Sequence, residues 1–309
     1  VTPLRCLLSY AFFRNVDLAE LVMELRALYG GPVEVFADSG AFSVANVGAT
    51  VHLKDYAAWL EEWSQVITTA ATLDVIGDPD ATHRNTEALL SAGLTVLPTF
   101  HVGSPWSELE RLCKAYPYLA LGGMVPYAKY SDEVLRWLIR CFRIGAEQGT
   151  VFHGFGQTKV ATLAALPFYS VDSSAWGAGS RFGQLPLWDE RKARIVQVQV
   201  SHPAQARRYA TLMRSHGADP ALVGRPGFAQ SPHRTPKQHA VETQMMRGAP
   251  AVAFYRLGQW LAKRHQVPAP LGWEHPGTVL FLADANPARF KQAARALRIE
   301  RDNAPGGVV

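Results

Sequence analysis

Cysteine is scarce in this 309-residue chain, which has three, and beyond position 141 there is none. Cys6, Cys113 and Cys141 lie far apart and form no C-x-x-C pair. The chain therefore has no disulfide framework, its second half has no cysteine-based zinc site, and a reducing compartment is expected. H-x-x-x-H spacing is missing as well, so a site assembled from His202, His216, His233 or His239 has no pattern behind it. The expectation is no cofactor, with a His/Asp zinc site the one form left open. No apolar run reaches the roughly 18 residues that a membrane-spanning helix needs. The opening VTPLRCLLSYAFFRN carries no basic leader followed by a small-residue cleavage site, so a soluble cytoplasmic protein is expected. A fixed repeat of 20–50 residues is absent too. So are G-K-[ST] and a strict G-x-G-x-x-G, which makes the glycine-rich stretch 177–183 a poor phosphate cradle.

What is present suits a large folded core: 48% of residues are hydrophobic. A formal charge of +5 and an isoelectric point near 9.2 tilt the chain toward a polyanionic partner without singling one out. Short β-branched or aromatic runs alternate with amphipathic stretches through the first 185 residues or so, the pattern of βα units around a parallel sheet. Strands are expected at 5–10, 33–38, 72–76, 95–100, 119–122, 150–153 and 169–172, with helices near 17–29, 54–67, 82–92, 105–116, 131–147 and 157–166. Asp17, Ser104 and Ser131 are the candidate N-caps. Seven strands fall one short of a closed barrel, and the eighth is expected at 195–198, or at 279–282 if a subdomain intervenes. From about 185 the chain turns basic and helical, with the breaker-rich GRPGFAQSPHRTPKQ between. The expected architecture is α/β, a TIM (β/α)8 barrel whose catalytic core spans 1–200. Residues 201–309 would complete the barrel and add a basic helical lobe.

In a parallel barrel the chemistry sits at the C-terminal strand ends, and several apolar runs here end in polar groups. VEVFADSGAFS places Asp38 at such an end, FYSVDSSAWG does so for Asp172, and ATLDVIGDPDATHRN carries Asp74 within its run. Each aspartate taken alone is equally compatible with a helix cap or a loop carboxylate. Taken together, two carboxylates across one pocket can attack and protonate in a double displacement at an anomeric carbon. On helical spacing Trp59 and Trp63 read as core, whereas Trp176 follows Asp172 in a loop and could touch a nucleotide.

DSGAF at 38–42, LGG at 121–123, HGFG at 153–156 and VDSSAWGAGSRFG at 171–183 resemble, in order and spacing, segments of the tRNA-guanine transglycosylase superfamily. The likeness covers roughly 33–185. It implies Asp172 as the nucleophile that attacks C1′ and Asp38 as the acid/base for the leaving and incoming bases. Asp74 and the backbone around Gly122 and Gly123 would read the guanine edge, a carboxylate suiting the two donors presented there. Phe42 and His153, with Gly154 beside it, match the positions that sandwich the base, and His101 stands where the family has a glutamine that reads the base carbonyl. Arg181 matches an arginine near the phosphate backbone.

The family's tRNA enzymes also carry C-x-C-x-x-C and a later histidine around a structural zinc, which this chain lacks, so its C-terminal extension is expected to be zinc-less. The DSGAFS loop is similar to that of phage and bacterial enzymes that insert 7-deazaguanines into DNA. The resemblance thus implies DNA as substrate and a free base such as preQ0 as co-substrate, in the host cytoplasm if the protein is phage-encoded. Losing the guanine N7 acceptor and gaining a bulky 7-substituent would blunt major-groove readers such as restriction enzymes. The same exchange on tRNA, or a non-catalytic nucleic-acid-binding partner subunit, are the alternatives. Homodimer formation is left open.

Overall fold

The computed structural model describes residues 2–41, 50–127, 129–179, 182–230, 234–273 and 276–303. Phe42, Arg181 and His233, named above, lie outside the described residues. Strands β1 (Leu4–Ser9), β2 (Val33–Asp38), β3 (Thr69–Ala70), β4 (Thr99–His101), β5 (Tyr118–Gly122), β6 (Val151–Gly154) and β7 (Ser170–Ser173) come first. A hairpin of β8 (Gln184–Asp189) and β9 (Arg194–Gln199) follows, and then β10 (Val279–Ala283). Among the described helices are α1 (Leu18–Tyr29), α2 (Leu53–Glu62), α3 (Pro79–Ser91), α4 (Trp106–Ala115), α5 (Ser131–Gln148), α6 (Val160–Ala165) and α7 (Ala175–Ala178). They are followed by α8 (Pro203–Arg208), α9 (Ala210–Ser215), α10 (Pro220–Val223), α11 (Pro236–His265) and α12 (Pro287–Asp302). None of them is long and apolar enough to cross a membrane.

Eight strands form one parallel sheet in the order β3-β2-β1-β10-β7-β6-β5-β4. The later of the two expected positions supplies the eighth strand, with β10 inserted between β1 and β7. The 195–198 run instead pairs antiparallel with β8. The sheet is curled: its outer strands approach each other, Ala71 bridging Leu97 in parallel. Leu97 N–H donates to Ala70 O at 2.7 Å and Thr72 N–H to Leu97 O at 3.0 Å. Side-chain alternation agrees with the curl, since successive strand residues face opposite ways. Leu7, Phe36, Ala71, Leu97, Tyr118, Tyr169 and Phe281, drawn from strands and strand edges all around the sheet, gather into one interior cluster. Their neighbours Cys6, Leu8, Val35, Leu119, Val171 and Leu280 pack outward against the helices.

The local chemistry explains most boundaries. Asp17 caps α1, accepting from Glu20 N–H at 2.8 Å, and Gly30 ends it in the left-handed region at φ +73°. Of the other two expected caps, Ser104 gives way to Pro105, and Ser131 is the first helical residue rather than the cap. The third strand stops at Ala70, short of the expected 72–76, because side chains take over the backbone there. Asn85 Nδ2 donates to Leu73 O at 2.9 Å, and Val75 N–H donates to Thr82 Oγ1 at 2.9 Å. Freed from the ladder, residues 73–76 turn Asp74 toward the strand ends.

Between β7 and β10 the hairpin and α8–α10 build a satellite core of Leu185, Leu187, Val196, Val198, Met213, Val223 and Phe228, with Met246 and Ala249 of α11 closing it. This unit begins at β8, ahead of position 200. The 30-residue α11 starts with a capping box between Thr235 and Gln238 and contains Pro250. It runs from the satellite back along the main core, where Phe254, Leu257 and Leu261 are buried.

Candidate active site

At the C-terminal strand ends lies a cavity of about 460 Å³. Its polar lining includes Ser9 ending β1, Asp38 ending β2, Asp74 beyond β3, His101 ending β4, Asp172 in β7 and Asp284 after β10. Gly122, Gly123, Met124 and Phe155 line it as well. The pairing register accounts for the convergence. Ser9 stands beside Asp38, and Asp172 beside Phe281, whose strand β10 in turn borders β1.

Asp38 is held by a tight turn. Its Oδ2 accepts from Gly40 N–H at 3.1 Å, and Gly40 has φ +73°. A Cβ there would stand 2.3 Å from Ser9 Oγ and 2.6 Å from Ala11 Cβ, so only glycine fits. Burial, followed by the charges of Asp74 and Asp172, pushes the Asp38 carboxyl up to about 7, with the Gly40 amide pulling the other way.

Asp172 is 7% exposed, and its Oδ1 accepts from Gly156 N–H at 2.8 Å. Asp74 Oδ2 meets His101 Nε2 at 3.0 Å, while Asp74 Oδ1 is buried without a partner among the described residues. Burial works against a proton on His101, but the charge of Asp74 and its hydrogen bond outweigh it and hold the imidazole above its usual range. The glycine pair at 122–123 lets that imidazole approach the backbone closely. A Cβ on Gly122 would stand 3.1 Å from His101 Cδ2, and Gly123 has φ +74° with Val102 N 3.2 Å from its Cβ position.

Asp38, Asp74, His101, Gly122, Gly123 and Asp172 are thus brought together. Three other expected site residues are not part of the lining. His153 is fully buried, its ring 4.5 Å from that of Phe36, and cannot present a face to a base; Phe155, two residues on, lines the cavity instead. Gly154 is packed beneath Phe168, whose Cε1 would be 2.6 Å from a Cβ. Trp176 is fully buried in the main core, its indole N–H donating to Ala283 O at 3.0 Å, and is out of reach of a nucleotide.

Sequence reasoning missed Asp284 and Arg289. The Arg289 guanidinium donates through Nη1 to Asp284 Oδ2 at 3.0 Å, and its Nε is buried without a partner among the described residues. The signal was available, because FLADAN ends an apolar run in an aspartate just as VEVFAD and FYSVD do. Among the described residues no group of three or more His, Cys, Asp or Glu side chains could hold a metal ion. The three cysteines are free and buried, with burial pushing Cys113 up to about 11 and Cys6 and Cys141 higher still. No family model matches the chain, and no curated protein is similar enough to it to count as a match.

Proposed function

We propose that this protein is a nucleic-acid guanine transglycosylase, built on a (β/α)8 barrel with a zinc-less helical extension. It exchanges guanine in DNA for a 7-deazaguanine such as preQ0. The observation that carries this reading is the convergence of Asp38 and Asp172 on one cavity, with Asp38 raised to about 7 and Asp172 anchored by one oxygen. Two facing carboxylates, one of them holding a proton near neutrality, divide the labour of a double displacement. The order and spacing of the four motifs supplies the substrate class.

In the first step Asp172 attacks C1′ through a carboxylate oxygen. The C1′–N9 bond breaks, its electron pair leaves with guanine, and the proton held by Asp38 passes to the departing base. In the second, the deazaguanine gives a proton to Asp38 and attacks C1′ through its ring nitrogen, releasing the carboxylate. The partnerless oxygen of Asp74 suits the N1–H and 2-amino donors of the guanine edge, which would satisfy a buried acceptor. His101, hydrogen-bonded to the other oxygen of Asp74, holds that carboxylate in place. Phe155 offers a stacking face in the role that the motif match gave to His153.

Incubation with defined DNA and tRNA plus labelled preQ0, followed by nucleoside mass analysis, tests the proposal. Label in DNA is expected. Label confined to tRNA would move the substrate to tRNA, release of free guanine without an acceptor would indicate a hydrolase, and no exchange with either would overturn the reading.

A further inference from the structure

His153 is a buried, titratable side chain that the scheme above leaves idle, and its surroundings are specific. Nδ1 is hydrogen-bonded to Ser170 Oγ, and the same oxygen is hydrogen-bonded to the Tyr118 hydroxyl. Nε2 has no hydrogen-bond partner among the described residues yet lies 3.4 Å from Asp172 Oδ1. All four groups face inward: Ser170 and Asp172 are two residues apart on one strand, and His153 pairs with Ser170 across the β6–β7 ladder.

Proton counting orders this chain. Ser170 has one hydrogen. If it went to Tyr118, Nδ1 would have to donate to Ser170, and a neutral ring would turn its Nε2 lone pair on the Asp172 carboxylate. If Tyr118 donates to Ser170 and Ser170 donates to Nδ1, the ring carries its hydrogen on Nε2, facing Oδ1. Of the arrangements open to a neutral ring, only the second is attractive at every contact.

We infer that His153 is a positioning residue for the nucleophile. The Tyr118–Ser170–His153 chain fixes the Nε2–H tautomer and aims it at Asp172 Oδ1. Together with the Gly156 amide at 2.8 Å it ties down that oxygen and leaves Oδ2 as the atom that bonds to C1′. No proton crosses the chain in either displacement. At 3.4 Å the contact is long for a hydrogen bond, as such contacts commonly are before substrate tightens the site. An N–H held on Oδ1 favours the carboxylate over the glycosyl ester, and so assists the second displacement, in which the carboxylate leaves.

The kinetic half of this inference rests on the transglycosylase reading; the tautomer does not. The experiment is nitrogen-15 histidine NMR of the full chain, with the His153 ring assigned from His153→Gln or, if that variant fails to fold, from the perturbation in Ser170→Ala. An Nε2–H tautomer whose signals move in Asp172→Asn is expected. An Nδ1–H tautomer, or signals indifferent to Asp172→Asn, overturns the inference whether or not exchange occurs. In exchange assays His153→Met should lose roughly 10–100-fold in kcat with the KM for nucleic acid little changed, and His153→Gln, which retains a donor, should recover most of it. Equal losses in both variants, or a change confined to KM, would count against positioning. A correct tautomer in a protein that exchanges no base would leave the inference standing and remove the transglycosylase reading.

Discussion

Asp38 holds a proton at a pH where an aspartate ordinarily holds none, and that property can be measured in two ways. As the acid of the proposed first displacement it would have to be protonated, so guanine release should fall about tenfold per pH unit above about 7, and Asp38→Asn should abolish release at every pH. Stability should move as well. The carboxyl titrates near 3.9 in an unfolded chain and near 7 in the folded one, so between those values the folded form binds more protons and loses stability as the pH rises. At pH 7.5 Asp38→Asn should therefore be more stable than the parent by about 1–3 kcal/mol, and at pH 3.5 it should show no such gain. Thermal melts at the two pH values check the sign.

The same scale shows where sequence reading stops. Asp38, Asp74, His101 and Asp172 were legible because each ends or interrupts an apolar run. His153 and Phe155 share one face, and alternation identifies that face. The depth of a residue is set by where its strand ends, and two residues along a strand span about 6.6 Å. That distance separates a ring beside Asp172 from one open to the cavity.

Among the elements, the turn after β2 is the least forgiving. Gly40→Ala places a methyl group against Ser9 and Ala11 at a φ that disfavours any side chain. It should cost about 1–3 kcal/mol and displace Asp38, with exchange falling further than the melting temperature alone accounts for. The helix after β7 behaves differently. Trp176 fastens it to the end of β10 through Ala283 O, so Trp176→Phe should lower stability by about 1 kcal/mol while leaving KM for nucleic acid unchanged. A rise in KM would restore the nucleotide contact that the sequence suggested. Its post-strand position was readable, but its burial was not, because the wall it packs on comes from residues 283 and 290, more than a hundred positions away. The third strand eluded the sequence for a related reason: the side chains that cap 73–75 belong to α3.

Over the whole molecule, positive charge is unevenly spread. Residues 184–247 hold ten lysines and arginines against four acidic residues, a surplus of six, whereas the whole chain has a surplus of five. The remainder, cavity included, is therefore slightly acidic, and a polyanionic substrate needs the satellite unit to be drawn in. Arg207 and Arg208 are exposed on α8. Reversing both to glutamate should weaken nucleic-acid binding and flatten its dependence on salt by about one to two counterions, with kcat unchanged at saturation. The basic composition of this stretch was plain in the sequence. That it forms a unit with its own core, inserted ahead of the last strand of the sheet, was legible only as one of two alternatives, since the 195–198 and 279–282 runs both read as short strands.

The central claim is that Asp172 bonds to sugar carbon while Asp38 moves the proton. Its most direct test is mass analysis of the denatured protein, trapped with a guanine-containing oligonucleotide in the absence of any deazaguanine. The account predicts an oligonucleotide adduct lacking one guanine, mapped to the peptide that carries Asp172 and absent in Asp172→Asn. Undiminished base exchange by Asp172→Asn, or an adduct on another residue, would contradict it.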